Sequence, residues 1–518
     1  MRKKKIIWEI VCTVLLSLVF FLLILLINSA NWFLDNFHEV EIATALYQIT
    51  SPLKGTEEGV LSDYINQCLY PSISFAVICV VIYRIWGMIA GYLLLDVDIR
   101  IASKTLRVGF GKSRFAKAVK VAALWAAIVI LGIGVWDRAV AVGLPEYIYS
   151  VMNTSEIFET EYVDPETVAI TFPERKRNLI LLYLESMEST YASTEAGGGK
   201  PNNYIPELTE LAKENLQFSD DEDLGGARYM PRTGWTMAGL LSSTTGVPYK
   251  LPIEGNDAGK YEKFVPGLKG LGEVLQENGY QNYFMCGSEA VFGGRELFFT
   301  QHGDYHIIDY NTAKEEGIIP EDYHVFWGME DSILYEYAKQ KLTEIAGQGE
   351  PFNFTMLTVD THPPEGYICS LCDNTYPSQY ENVLACSSKQ AVSFINWAKE
   401  QEWYDNTTIV ITGDHLSMKK DIWDDIGDYQ RTVYNCFLNL PEGVSPVRRT
   451  NREFTVLDMF PTVLTAVGVD IEGDRLGLGT NLFSERTTLP EEMGFDVFNR
   501  ELELYSDYYY MNFVVGDN

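Results

Sequence analysis

Three apolar runs in the second half of this chain each stop on a side chain able to bind a metal. Asn178 to Leu184 ends on Glu185, Asn353 to Val359 stops just before His362, and Thr407 to Thr412 stops just before Asp414 and His415. Near-continuous apolar runs of this length suit strands buried on both faces, which belong to parallel sheets covered by helices. In an open parallel sheet the carboxyl ends of the strands share one edge, so residues distant in sequence meet in one crevice. Helix-compatible segments alternate with the runs, at 205–216, 267–278, 331–345, 387–399 and 457–467. That order predicts an α/β sandwich built on a mainly parallel sheet.

The amino-terminal part has a different solvent. Residues 6–28 are almost unbroken in their apolar character, follow Arg2, Lys3, Lys4 and Lys5, and are long enough at ~1.5 Å per residue to cross one hydrocarbon core. Segments 72–95, interrupted by Arg84, and 118–137 complete an expected set of three transmembrane helices within 1–143. With further apolar segments following, the first reads as a retained anchor rather than a removable signal peptide. The loop between the second and third segments carries Arg100, Lys104, Arg107, Lys112, Arg114, Lys117 and Lys120, which places it in the cytoplasm by the positive-inside rule. The loop after the first carries Asp35, Glu39, Glu41, Glu57, Glu58 and Asp63 against Lys54, as expected outside. Three spans put a polar, proline-punctuated linker at 144–175 and a catalytic domain at 176–518 outside the cytoplasm of a multi-pass membrane protein.

Beyond residue 143 lie 61 of the 71 acidic and 26 of the 40 basic residues, a formal charge of −35. Such a surface excludes nucleic acid as a natural partner and otherwise reads as a well-solvated exterior. Of the eight cysteines, Cys369, Cys372 and Cys386 cluster in sequence after His362. In an extracytoplasmic domain a disulfide is expected there, with Cys372 to Cys386 the preferred pair. Cys369-x-x-Cys372 is also half of a zinc motif, but no second pair with finger-like spacing accompanies it.

Glu185, Asp414 and His415 offer two hard oxygens and an imidazole, a donor set suited to Mn²⁺, Mg²⁺ or Zn²⁺. Thr233, in Pro231-Arg232-Thr233-Gly234 just before the helix-compatible run 235–243, stands near a helix N-terminus, where backbone N–H groups favour phosphate. Its hydroxyl would complete the shell as an activated nucleophile. Thr236, three residues on and on the same helix face, is the competing hydroxyl. His362 would hold a phosphate oxygen or protonate a leaving alkoxide.

Leu184-Glu185-Ser186, the segment from Pro231 to Gly239 ending in Gly246-Val247-Pro248, Asp360-Thr361-His362-Pro363 and Gly413-Asp414-His415-Leu416 resemble the phosphoglycerol transferases of the alkaline phosphatase/sulfatase superfamily. The likeness is to the phosphoglycerol transferase I-like enzymes and, more distantly, the lipoteichoic acid synthase-like ones. It runs from about 175 to 485 and includes 279–284 and Phe292-Gly293-Gly294-Arg295. The resemblance implies one divalent ion, Mn²⁺ before Mg²⁺ or Zn²⁺, held by Glu185, Thr233, Asp414 and His415. It makes Thr233 the nucleophile, with His362 and Arg295 on the phosphate and Phe292 beside the glycerol. It implies phosphatidylglycerol as donor, a glycerophospho-threonine intermediate, and a glycan, teichoic-type polymer or glycolipid hydroxyl as acceptor. A phosphodiesterase or a phosphoethanolamine transferase of the same superfamily is the enzymatic alternative, and a non-catalytic surface-polymer assembly factor the other. A sulfatase reaction is disfavoured because Tyr229-Met230-Pro231-Arg232-Thr233 lacks the Cys or Ser that precedes x-Pro-x-Arg in those enzymes.

Overall fold

The computed structural model describes residues 2–36, 58–89, 96–101, 104–109, 112–250, 263–419 and 422–516. It divides into two compact units, one of residues 1–36 and 58–146 and a larger one containing 147–518.

In the smaller unit three helices are long and apolar enough to cross a membrane, at Ile10–Asn36, Leu61–Ile85 and Ala118–Ala141. Their outward residues, Val14, Leu18, Val77 and Ile130 among them, are exposed aliphatics, as lipid-facing positions require. Polar contacts are kept between helices. Asn28 donates to Ser72 at 3.1 Å and the Trp32 indole to Asp63 at 2.8 Å, while Arg138 reaches Asn31 at 3.3 Å. The second span starts eleven residues before the expected 72, and its helix continues to Ile89. The basic loop contains an antiparallel hairpin, Asp96–Ile101 with Lys104–Gly109. Residues 90–95, expected in the second span, and 37–57, expected to carry most of the acidic outer loop, lie outside the described residues.

The larger unit is an α/β sandwich. Its six-stranded sheet consists of β1 Asn178–Leu184, β2 Gln281–Cys286, β3 His306–Ile308, β4 Phe352–Leu357, β5 Thr407–Gly413 and β6 Asn435–Leu438. The order across the sheet is β6-β5-β1-β4-β2-β3, parallel throughout except for the antiparallel edge strand β6. Every residue of β1 is buried because each face of the strand is covered. Leu179, Leu181 and Tyr183 face a core shared with Met237, Leu240 and Leu241 of α2 (Thr236–Thr245) and Val463 of α5 (Met459–Ala466). Ile180, Leu182 and Leu184 face the other core, with Leu208 of α1 (Pro206–Glu214), Leu334 of α3 (Asp331–Ala346) and Phe394 of α4 (Gln379–Lys399).

α4 begins eight residues before the expected 387, since Ser378 and Glu381 form a capping box at its start. The segment 144–175, expected as a linker, is folded. It carries helices Leu144–Met152 and Ile157–Glu161 and pairs Ile170–Thr171 with Asp470–Ile471. Phe158 is buried edge-on against Tyr509 and Phe513 of the carboxyl-terminal segment, which supplies the apolar surface that a linker would lack.

Candidate active site

Register alone brings two acids together. Leu184 pairs with Gly413, so the residues that follow them, Glu185 and Asp414, leave the carboxyl edge of the sheet side by side. Ser186 then turns sharply, with φ of 52°, a left-handed conformation uncommon for a side chain of this type. The turn aims the Ser186 N–H at Asp414 Oδ1, 2.7 Å away, and lets the Ser186 hydroxyl donate to Glu185 Oε1 at 2.8 Å. His415 Nε2 lies 3.5 Å from Glu185 Oε1 and 3.4 Å from Asp414 Oδ2. One ligand atom from each of the three residues falls within 4.8 Å of the others, and all three residues are buried.

The protons of this cluster point to a cation. His415 Nδ1 sits 2.8 Å from the Leu416 carbonyl, which can only accept, so Nδ1 carries hydrogen and the ring presents its lone pair at Nε2 once its second proton is displaced. Neither that Nε2 nor Asp414 Oδ2 has a hydrogen-bond partner, although both are buried. An orphaned acceptor pair is costly unless something charged fills the gap between them. Burial pushes the His415 pKa down, but Asp414 and Glu185 outweigh it and lift the ring to about 9. Burial and the Glu185 charge raise Asp414 to about 8. Glu185, despite burial, is held well below the usual carboxylate range by His415 and His362. A hard divalent ion relieves all three by replacing the shared proton, and two carboxylates with one imidazole fit Mn²⁺, Mg²⁺ or Zn²⁺.

The hydroxyls come from the junction leading into α2. Arg232, at φ 66°, bends the chain before Thr233. The Thr233 hydroxyl, expected in the metal shell, donates to the Met230 carbonyl at 2.7 Å. The Thr236 hydroxyl contacts the cluster, donating to Glu185 Oε2 at 3.2 Å. The reason is local: the helix starts at Thr236, three residues after Thr233. Farther along, Gly239 lies against the Asp414 backbone, where a Cβ would stand 1.9 Å from the Asp414 carbonyl oxygen.

Arg295, Phe292 and His362 form a second group. Arg295 is buried and fixed by Nε to the Phe292 carbonyl at 3.0 Å and by Nη2 to Ser288 Oγ at 3.0 Å and the Glu289 carbonyl at 2.9 Å. Those bonds leave Nη1 for an incoming oxygen. Phe292 packs 5.2 Å from Trp327, which lies 4.8 Å from the His362 ring. Trp327 went unremarked in the sequence, where Phe326-Trp327-Gly328 follows no strand-like run that would single it out. His362 Nδ1 donates to the Pro363 carbonyl at 2.8 Å, and burial pushes its pKa below the ordinary histidine value. The neutral ring therefore offers Nε2 as a proton acceptor. Glu185, His415 and Arg295 all act on the His362 charge, so the two groups share one electrostatic neighbourhood.

The expected disulfide is absent. Cys369, Cys372 and Cys386 are free thiols, gathered closely without being bonded.

Residues 177–469 match the sulfatase family. Phosphoglycerol transferase I of Shigella flexneri is 32% identical over 335 residues, which cover 63% of this chain and 41% of that protein. The protein of the same name from Escherichia coli O127:H6 matches over the same shares, so the aligned part of the chain spans about two fifths of the length of these relatives. The integral membrane protein lipooligosaccharide phosphoethanolamine transferase A (EptA) of Neisseria meningitidis superposes with a TM-score of 0.50 over 88% of this chain and 84% of its own. At 11% identity that likeness is one of fold.

Proposed function

From the premise that this chain belongs to the sulfatase family of the alkaline phosphatase superfamily, we propose that it is a membrane-anchored phosphoglycerol transferase. It would move glycerophosphate from phosphatidylglycerol to a hydroxyl of a glycan, teichoic-type polymer or glycolipid outside the cell. One observation carries the reading: the buried cluster of Glu185, Asp414 and His415, with Asp414 Oδ2 and His415 Nε2 unpartnered, lies beside a threonine-bearing helix start. The likeness to phosphoglycerol transferase I supports that substrate class.

Glu185, Asp414 and His415 would hold the divalent ion, Mn²⁺ in our reading, and that ion supplies charge stabilisation and a lowered hydroxyl pKa. We assign the attack to Thr233, whose hydroxyl needs only a χ1 rotation to leave the Met230 carbonyl, and leave Thr236 to orient Glu185. Thr233 Oγ bonds to phosphorus as the bond from phosphorus to the diacylglycerol oxygen breaks. The threonine proton leaves to solvent, and His362 Nε2, having taken a proton from solvent, gives it to the departing diacylglycerol oxygen. The acceptor hydroxyl then displaces the threonine oxygen, which regains a proton. Arg295 Nη1 holds a phosphate oxygen, and Phe292 with Trp327 walls the glycerol side.

Detergent-solubilised protein incubated with phosphatidylglycerol and Mn²⁺ should release diacylglycerol and gain one glycerophosphate on Thr233. Thr233→Ala should lose both signals, whereas Thr236→Ala should keep the label with weaker metal binding. Label on Thr236 would exchange the two roles, equal diacylglycerol release by Thr233→Ala would end the covalent mechanism, and faster turnover of phosphatidylethanolamine would replace the donor.

A further inference from the structure

We propose a second metal site, in which Cys369, Cys372 and Cys386 bind a thiophilic divalent ion of the Zn²⁺ class. It is independent of the reaction above and shares no ligand with it.

The spacing of the sulfurs carries the argument. Cys369 Sγ lies 3.6 Å from Cys372 Sγ and 3.8 Å from Cys386 Sγ, and the three sulfurs fall within 4.8 Å of one another. Thiolates on a tetrahedral zinc, each at ~2.3 Å from the ion, stand about 3.8 Å apart. A disulfide would require about 2.05 Å and would use two sulfurs, stranding the third.

The surroundings suit thiolates. Cys369-x-x-Cys372 closes a turn, with the Cys372 N–H on the Cys369 carbonyl at 3.2 Å and the Leu371 N–H directed at Cys369 Sγ at 3.4 Å. Gln390, one helical turn beyond Cys386, points its amide nitrogen at Cys386 Sγ at 3.4 Å and at Cys369 Sγ at 3.7 Å. Donors converging on sulfur stabilise its anionic, metal-binding form. Cys369 and Cys386 are buried and Cys372 is half-buried, so a water from the open side would complete four-coordination.

Two of these ligands belong to the loop that leaves His362, and the third to α4. The near end of that loop is already tied down, with the Gly366 N–H on the His362 carbonyl at 3.2 Å and the Tyr367 N–H on the Asp360 carbonyl at 2.8 Å. The ion would fasten the far end to α4, so that the loop presenting His362 is held at both ends.

Full-length protein in detergent, stripped of metal under reducing conditions and titrated with Co²⁺ alone, tests this. Wild type should develop thiolate-to-cobalt charge-transfer absorption that saturates within two equivalents, since the carboxylate cluster also takes Co²⁺. Glu185→Gln should keep that band and Cys386→Ser should lose it. As purified without added reductant, wild type should contain zinc and yield all three thiols to titration after denaturation with chelator. A protein mass two hydrogens low with a single reactive thiol among the three would establish a disulfide and overturn the site. So would a missing cobalt band in wild type, or an equal band in Cys386→Ser.

Discussion

At the scale of single residues, the unusual feature is a buried trio that carries an excess of negative charge when its proton leaves. Free of metal, His415 is raised from its ordinary 6.5 to about 9 and Asp414 from 3.8 to about 8. Both shifts have one sign: the folded state holds protons that the unfolded chain would release, so their stabilising contribution is lost as pH rises. Asp414 gives up its share between about 4 and 8, and His415 between about 6.5 and 9. Glu185 works in the opposite sense, since its depressed pKa stabilises the fold above the ordinary carboxylate range and that contribution is lost on acidification. Metal-free protein should therefore melt at falling temperatures from pH 6 to pH 9. Mn²⁺-loaded protein should diverge upward over the same interval, because the ion displaces the proton and its affinity rises by about tenfold per pH unit while one proton is released. Thermal melts in chelator and in Mn²⁺ across that range check this, and parallel curves would remove the ion from the cluster. A second prediction concerns the pair that fastens the loops carrying the proposed metal ligands. Arg431 contacts Glu188 through Nε at 3.1 Å and Nη2 at 2.5 Å, and Glu188 also receives the Ser417 N–H at 2.7 Å. Glu188 and Ser417 each lie close in sequence to a proposed metal ligand, so the pair joins the Glu185 turn to the Asp414-His415 turn. Arg431→Met leaves a buried carboxylate unpaired and should cost about 3–5 kcal/mol in a denaturant titration, with metal affinity falling in parallel.

At the scale of elements, what was legible in the sequence depended on the range of the contacts involved. The strands β1, β4 and β5 announce themselves because a sheet covered on both faces demands unbroken apolar runs, and their carboxyl ends fix Glu185, Asp414 and His415 through register alone. The start of α4 was missed because its first turn is polar and its signal is the cap, Ser378 with Glu381. The folding of 144–175 depends on Tyr509 and Phe513, more than three hundred residues away, which no local pattern encodes. Trp327 is likewise a product of tertiary packing. The helix α2 shows how an element can serve a site through what it lacks. Gly239, one turn after Thr236, lets the helix rest on the Asp414 backbone, where any Cβ would lie 1.9 Å from a carbonyl oxygen. Gly239→Ala must push α2 away from the cluster, at a cost of about 1–3 kcal/mol for the overpacking. The larger effect should be on function: metal affinity and diacylglycerol release should fall by at least about tenfold, since separating the Thr236 hydroxyl from Glu185 by even one ångström breaks their contact. Gly349→Ala, where nothing lies within 4 Å, is the control and should do neither, apart from modest strain at its φ of 77°. Isotherms for Mn²⁺ on the two variants separate the outcomes.

At the scale of the molecule, the chain joins a unit of three apolar helices to a unit that contains every residue assigned to chemistry. Glu185, Thr233, Thr236, Arg295, His362, Asp414 and His415 all belong to the larger unit, whose two cores are built from its own strands and helices. If the proposed phosphatidylglycerol donor is the substrate, the helices would govern where the site meets it. A lipid donor is confined to a surface, and an enzyme confined to the same surface meets it at an effective concentration that linkage alone can raise by a factor on the order of 10²–10⁴. A fragment beginning at Tyr147, the first residue of the larger unit after the helices, should fold, bind Mn²⁺ like the full chain and turn over a dispersed short-chain phosphatidylglycerol at a similar rate. On long-chain phosphatidylglycerol in reconstituted vesicles its turnover per molecule should drop by about a hundredfold or more relative to the full chain inserted in the same vesicles. Equal rates on vesicles would mean that the larger unit binds the bilayer by itself and that the spans serve only retention. A matched loss on the dispersed substrate would show instead that the helices shape the site, and the separation of chemistry from tether drawn from the two units would fail.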